Sequence, residues 1–232
     1  MKHQRLSTML ILLFGILLKP DIAFANWYTG YTPDNLYGIW ARISTPASAP
    51  FVPEAPYWAG QSNWVSTNGP HWIQAGWLWY PNTPQNTPTR YVEWCLPGCE
   101  TNPALYYKSI ESNQNWGTMT KYEVSHDSAQ GATIWCAWID GVRKYCQDVV
   151  AAPYPLQAQS EIHESLQVEL DTDFSQVRQQ NSNGGTWAYP NFNGTNLSGE
   201  FPYESQQLGA DHYHNYRVAT TKVYLPLVGK NF

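Results

Sequence analysis

The chain has 232 residues, of which 43% are hydrophobic and only 13% charged. That charge is about half of the ~25% usual in a globular domain, which excludes a charged disordered tail or a coiled coil. A formal net charge of -5 argues against a nucleic-acid-binding role, which needs clustered Lys and Arg, while 12 Trp and 16 Tyr supply ample apolar surface for a core.

In chain order, residues 1–25 read as a secretory leader. Lys2 and Arg5 precede the apolar run Met9–Leu18, and Ala23-Phe24-Ala25 forms a small-x-small cleavage site. The run is too short to span a bilayer. The mature protein is therefore expected over residues 26–232 as one exported, soluble domain, extracellular or periplasmic, monomeric and without membrane attachment.

The remaining sequence has little helical periodicity. Short runs rich in Val, Ile, Tyr, Trp and Thr alternate with Pro, Gly, Asn and Ser. Strands are expected at Gly38–Ser44, Ser62–Ser66, His71–Tyr80, Arg90–Cys95, Ala104–Ile110, Thr118–Ser125, Thr133–Ile139, Val142–Asp148, Ser160–Leu170 and Arg217–Leu225, with a surface loop over Asn181–Gly199. The pattern indicates an all-β fold, a two-sheet antiparallel sandwich of jelly-roll type.

Side-chain alternation assigns faces. On His71–Tyr80, Trp72, Gln74, Gly76, Leu78 and Tyr80 point one way, and His71, Ile73, Ala75, Trp77 and Trp79 the other. Both sets are mostly apolar, which marks an interior strand. On Ser160–Leu170, Ile162, Leu166, Val168 and Leu170 define a core face from which Glu161 and His163 point away. Glu164 falls on the apolar side.

Export makes disulfides plausible for the four cysteines, and proximity favours Cys95–Cys99 and Cys136–Cys146. A two-residue turn at Asp140-Gly141 would set Cys136 opposite Tyr145, so the second bridge requires a bulge or a longer loop. Oxidised thiols leave no cysteine nucleophile.

Three residues could carry chemistry. Gln74 lies among large apolar side chains, Glu93 sits in Tyr91-Val-Glu-Trp94, and Glu161 opens Ser160-Glu-Ile-His-Glu164. An amide and a carboxyl that face each other across a sheet can hold a water between them. The carboxylate takes its proton, and the amide N–H donates to the oxyanion that develops on a peptide carbonyl. Neither metal nor cofactor is needed.

The order Trp64-Val65, Ile73-Gln-Ala-Gly76, Tyr91-Val-Glu-Trp94 and Ser160-Glu-Ile-His-Glu164 resembles the secreted glutamic peptidases of eqolisin type and, more distantly, neprosin. The resemblance implies a concanavalin-like sandwich whose concave face binds a polypeptide. It implies Gln74 as the oxyanion-stabilising amide and Glu161 as general base and acid, with Glu164 and then Glu93 as alternative partners for Gln74. Trp64 and Trp77, with Glu93 and Glu164, form the expected substrate-binding set. The segment Gly38–Pro46 is also similar to the Gly-Ile-x-Ala-x-Ile-x-Thr-Pro of uncharacterised secreted bacterial proteins.

Two other constellations stand beside this one. His212 and His214 in Asp211-His-Tyr-His214 share a strand face and could, with help from His71, His126 or Glu200, approach a zinc set, although such pairs are more often a polar face. The tryptophan excess also suits a non-catalytic module that binds glycans or peptides through exposed rings.

Overall fold

The computed structural model describes residues 26–50, 60–81, 86–163, 168–193 and 196–218. The leader expected over residues 1–25 and Glu164 lie outside these. Among the described residues, no helix is long and apolar enough to cross a membrane.

The first sheet contains β1 (Asn26–Tyr31), β2 (Asn35–Leu36), β4 (Gly60–Thr67), β5 (Trp72–Trp79), β6 (Thr89–Cys95), β7 (Tyr106–Asn113), β11 (Tyr154–His163) and β14 (Leu197–Gly199). The second contains β3 (Gly38–Ser44), β8 (Met119–His126), β9 (Ile134–Ile139), β10 (Val142–Asp148), β12 (Asp171–Gln180), β13 (Trp187–Ala188), β15 (Tyr203–Gly209) and β16 (His212–Arg217). The first runs β14-β1-β11-β4-β5-β6-β7 with β2 on β11, and the second β10-β9-β8-β3-β12-β16-β15 with β13 on β12. All pairings are antiparallel. The expected two-sheet sandwich is what the chain forms.

One core fills the space between the sheets. Val65, Ile73, Ala75, Trp77, Val92, Leu156 and Ala158 from the first meet Ile39, Ala41, Ile43, Tyr122, Val124 and Phe174 from the second. Each set recurs at every second residue, so the apolar period of two decides which face turns inward. A polar tie crosses the same space: Asn215 Nδ2 donates to Ser160 Oγ at 2.8 Å and to Thr29 O at 2.9 Å, and Ser160 donates to Asn63.

The hairpin from β9 to β10 meets the parity demand. Asp140 and Gly141 both take positive φ, 51° and 77°, the backbone of a tight primed turn that glycine adopts without penalty. A bulge between Arg143 and Tyr145 then shifts the register by one and brings Cys146 opposite Cys136. Both Cys136–Cys146 and Cys95–Cys99 are paired.

Several strands depart from expectation, and positions 219–225 of the strand expected at Arg217–Leu225 lie outside the described residues. The strand expected at Ser160–Leu170 begins earlier, at Tyr154, and ends at His163, although Ile162, Val168 and Leu170 are buried as their pattern implies. The strand Asp171–Gln180 carries few apolar residues, and a register shift between Ser175 and Arg178 lets Phe174 and Val177 both face inward, which breaks the period of two.

Candidate functional site

The outer face of the first sheet carries a second, smaller set of buried side chains. Cross-strand register lays them out in rows. One row runs Lys108, Glu93, Gln74, Ser66 and Gln157 across β7, β6, β5, β4 and β11. The next, two residues along, runs Ile110, Tyr91, Gly76, Trp64 and Gln159. A third runs Leu78, Ser62, Glu161 and Tyr28, ending on β1. Gln74 and Glu161 thus share a face, with β4 between their strands, and both line one cleft of about 650 Å³.

The middle row explains the Gln-x-Gly motif. Trp64 packs beside Gly76 and against Leu78 and Tyr91. A Cβ on residue 76 would meet the Trp64 Cβ at 2.7 Å and run into the Asn63 carbonyl. Only glycine therefore lets Trp64 lie flat between Gln74 and Leu78. The indole Nε1 of Trp64 is buried and takes no hydrogen-bond partner among the described residues.

Gln74 and Glu93 form a tight pair. Gln74 Nε2 donates to Glu93 Oε2 at 2.7 Å and to the Tyr91 hydroxyl at 3.0 Å. Glu93 Oε1 lies 3.2 Å from Lys108 Nζ. Gln74 is 8% and Glu93 5% exposed. Burial pushes the Glu93 carboxyl above the usual glutamate range, a shift that Lys108 and the Gln74 hydrogen bond partly offset and that the charge of Glu161 adds to. A carboxamide has two N–H hydrogens, and both are spent here. What Gln74 leaves open to the cleft is its carbonyl Oε1, which accepts no hydrogen bond among the described residues. This differs from the expected donor role toward an oxyanion, because the carboxylate of Glu93 is the stronger acceptor and takes the amide hydrogen.

Glu161 is fixed from the opposite side. Its Oε1 accepts from Asn26 Nδ2 at 2.7 Å and from the Tyr28 hydroxyl at 2.9 Å, and its Oε2 accepts from Ser62 Oγ at 3.3 Å. Ser62 and Tyr91 line the same cleft. One set of contacts therefore joins Lys108, Glu93, Gln74 and Tyr91, and another joins Ser62 to Glu161. Tyr91 is fully buried and Tyr28 half-buried; burial and the neighbouring carboxylates raise both phenols, Tyr28 to about 12, so each stays protonated.

Several contributors escaped the sequence reading. His163, two residues past Glu161 on the same face, places Nε2 3.1 Å from Ser62 Oγ and Nδ1 3.9 Å from Glu161 Oε1, with its ring 5.6 Å from that of Tyr80. Burial lowers its pKa, with Lys108 in the same direction and Glu161 opposing. Alternation alone could have flagged it, since Glu161 and His163 both point away from Ile162. Asn26 and Tyr28 had no comparable signal, because β1 was not among the expected strands.

Trp77 requires a correction. It is fully buried in the inter-sheet core, where its Nε1 donates to Ser44 O at 3.1 Å. It lies one residue out of phase with Gln74 and Gly76, so the pleat turns it away from the cleft. Glu93 lines the cleft, though as a buried partner of Gln74 and Lys108. Trp64 lines it as expected.

The histidine pair lies elsewhere. His212 and His214 share the outer face of β16, but they contact Asp173 Oδ1, each at 3.1 Å, and His214 also approaches Asp171. Asp211, the carboxylate adjacent in sequence, instead pairs with Arg178 at 2.6 Å. Of the third-ligand candidates, His126 bonds to Asn183 and Ala132 O, and Glu200 accepts from the Tyr28 amide. Two other groupings among the described residues, His71 with Cys95 and Glu100, and Asp127 with Cys136 and Cys146, contain disulfide sulfurs, which do not ligate as thiolates.

No protein-family model matches the chain, and no curated protein matches it in sequence. Among solved structures, scytalido-glutamic peptidase in complex with a transition-state-analog inhibitor is similar in fold, with a TM-score of 0.53, 12% identity, and coverage of 84% of this chain and all of that one. SCP-B, a member of the eqolisin family of peptidases in complex with the tripeptide Ala-Ile-His, gives a TM-score of 0.50 with the same identity and coverage. At this identity the likeness is one of fold.

Proposed function

We propose that the chain is a secreted, acid-acting endopeptidase of the glutamic type, with Gln74 and Glu161 as its working pair. The observation that carries the reading is the convergence of these two residues, from β5 and β11, on one cleft of one sheet. The sandwich of known glutamic peptidases supports the reading at the level of fold.

In this scheme a water in the cleft donates to Glu161 Oε2 and lies beside the Gln74 carboxamide. Glu161 Oε1 is already taken by Asn26 and Tyr28, which leaves Oε2 to remove the proton as the water oxygen attacks the peptide carbonyl. The protonated carboxyl then returns that proton to the leaving amine nitrogen, and the Cα–C(=O)–N bond breaks between carbon and nitrogen. Trp64 walls the cleft between the two residues.

The test is incubation of the mature chain with a denatured protein at pH ~3–5, where a carboxyl near its ordinary range is partly protonated. Wild type is expected to cleave, with or without a chelator, while Glu161→Gln and Gln74→Ala do not. A wild-type chain that leaves the protein intact across that range overturns the reading.

One feature favours a second reading. Trp72 and Tyr106 meet edge-to-face at 6.0 Å beside the cleft, and Tyr106 is 44% exposed. Rings so placed, next to the amides of Gln157 and Gln159, suit a sugar as well as a peptide. Glycan binding retained in Glu161→Gln, without proteolysis by wild type, would favour a binding module.

A further inference from the structure

The carboxamide of Gln74 is held in one of two orientations, and the groups that hold it fit both. As it stands, Nε2 faces Glu93 Oε2 and the Tyr91 hydroxyl, each an acceptor. Rotation by 180° about the last side-chain torsion would put Oε1 there and turn both N–H groups to the cleft. Tyr91 can donate as well as accept, because a phenol does both. Glu93 can donate only when it carries a proton. With Glu93 neutral, the two lone pairs of Oε1 would meet two donors, and Nε2 would face the position where a peptide carbonyl becomes an oxyanion.

We infer that Glu93 and Lys108 are positioning residues for Gln74: ionised Glu93 holds the carboxamide with its oxygen toward the cleft, and protonated Glu93 turns its N–H groups there. The inference rests on the Gln74/Glu161 reading for its catalytic consequence, but the turning itself does not. No covalent step is involved. One proton is taken up by Glu93 as the amide turns.

The charged and titratable groups around Glu93 set where this occurs. Lys108, on β7, lies 3.2 Å away and favours the ionised carboxylate. Glu161, across the cleft on β11, favours the neutral form. Tyr91, on the same strand, remains a neutral phenol throughout. His163 lines the same cleft, and the Lys108 charge works against its protonation. Gln74, the neighbour on β5, does not titrate. Burial favours the neutral carboxyl and moves its protonation to higher pH than that of an exposed glutamate.

Two variants separate the parts. In Lys108→Met the ion pair is gone, so the turning point moves to higher pH. In Glu93→Gln residue 93 no longer titrates, so the amide orientation stops depending on pH. Side-chain NMR of the labelled mature chain, from pH ~7 to ~3, reads this without any substrate. The Glu93 carboxyl carbon and the Gln74 side-chain NH2 signals are expected to shift with one common midpoint in wild type. That midpoint should rise in Lys108→Met, and the Gln74 signals should lose their titration in Glu93→Gln. Gln74 signals that stay fixed while Glu93 titrates overturn the inference.

The pH dependence of kcat/KM supplies the catalytic half. Above the midpoint wild-type activity should fall about tenfold per pH unit; Lys108→Met should extend it to higher pH, and Glu93→Gln should remove that limb. A chain with no proteolysis at any pH defeats the peptidase reading, and the NMR titration still decides the positioning role.

Discussion

The outer faces of the two sheets handle polar groups in opposite ways. On the second sheet, Lys121 pairs with Glu123 at 2.9 Å, Arg143 with Asp127 at 3.5 Å and Arg178 with Asp211 at 2.6 Å. The cations there also lie over rings: Lys121 sits 4.4 Å from the Trp40 centroid and Arg178 4.1 Å from that of Tyr189. These are paired, partly exposed charges, each contributing at most about 1 kcal/mol. On the first sheet, Glu93, Gln74, Ser62 and Tyr91 are buried within an open cleft, where Gln74 bonds to both Glu93 and Tyr91 and Ser62 bonds to Glu161. Burying a carboxylate costs more than pairing one at the surface, so a fold that keeps Glu93 there retains it for something other than stability.

Breaking this contrast gives a graded set of outcomes. Loss of the general base in Glu161→Gln is expected to lower kcat by about 10²–10⁴ with the fold intact, as measured by peptide release beside a thermal melt. Gly76→Ala forces a Cβ onto Trp64 and the Asn63 carbonyl and should cost about 1–3 kcal/mol, visible as a lower Tm together with lost activity. Tyr91→Phe removes the acceptor of one Gln74 N–H; a cost of about 1–3 kcal/mol and a weaker kcat are expected together. On the other sheet, Lys121→Ala should change stability by no more than about 1 kcal/mol and leave peptide release unchanged. An Lys121→Ala chain as impaired as Tyr91→Phe would erase the distinction between the faces.

Acid sharpens it further, because two cleft groups pull stability in opposite directions. Glu93 has a raised folded-state pKa, so the native state holds a proton that the unfolded chain, near 4.5, has released. Its contribution is fully present below that value and is lost as pH rises through the folded pKa. His163 has a lowered one, so its contribution is present above the ordinary 6.5 and is lost as pH falls toward its folded value. Chemical unfolding between pH ~4 and ~7 should show the first slope vanish in Glu93→Gln and the second in His163→Gln. No counterpart is expected for Lys121→Ala.

Much of the sandwich was legible because its apolar period is clean. Gly38–Ser44 and Val142–Asp148 have the limits their patterns imply, and the opposed faces of β5 follow directly from alternation. The same alternation put Trp77 opposite Gln74, so its place in the substrate-binding set conflicted with the pleat from the start. The strand β12 was not legible because a bulge breaks its period and Gln and Asp dominate it. The start of β11 was obscured by Pro155 and by Gln157 and Gln159, whose side chains line the cleft. In the site, Gln74 and Glu93 could be named from their setting among large apolar residues, and Glu161 from the resemblance of Ser160-Glu-Ile-His-Glu164 to the glutamic peptidases. Their linkage could not, since Tyr91, Ser62, Lys108 and Asn26 come from four other strand positions that only register brings together. The demand for a bulge at Cys136–Cys146 was arithmetic, and the chain meets it at Arg143 to Tyr145.

Whether Gln74 and Glu161 act as one unit on a single carbonyl is decided by a double-mutant cycle in kcat/KM on one peptide at pH ~4. If they do, Glu161→Gln combined with Gln74→Ala is no slower than Glu161→Gln alone. Losses that multiply would contradict it.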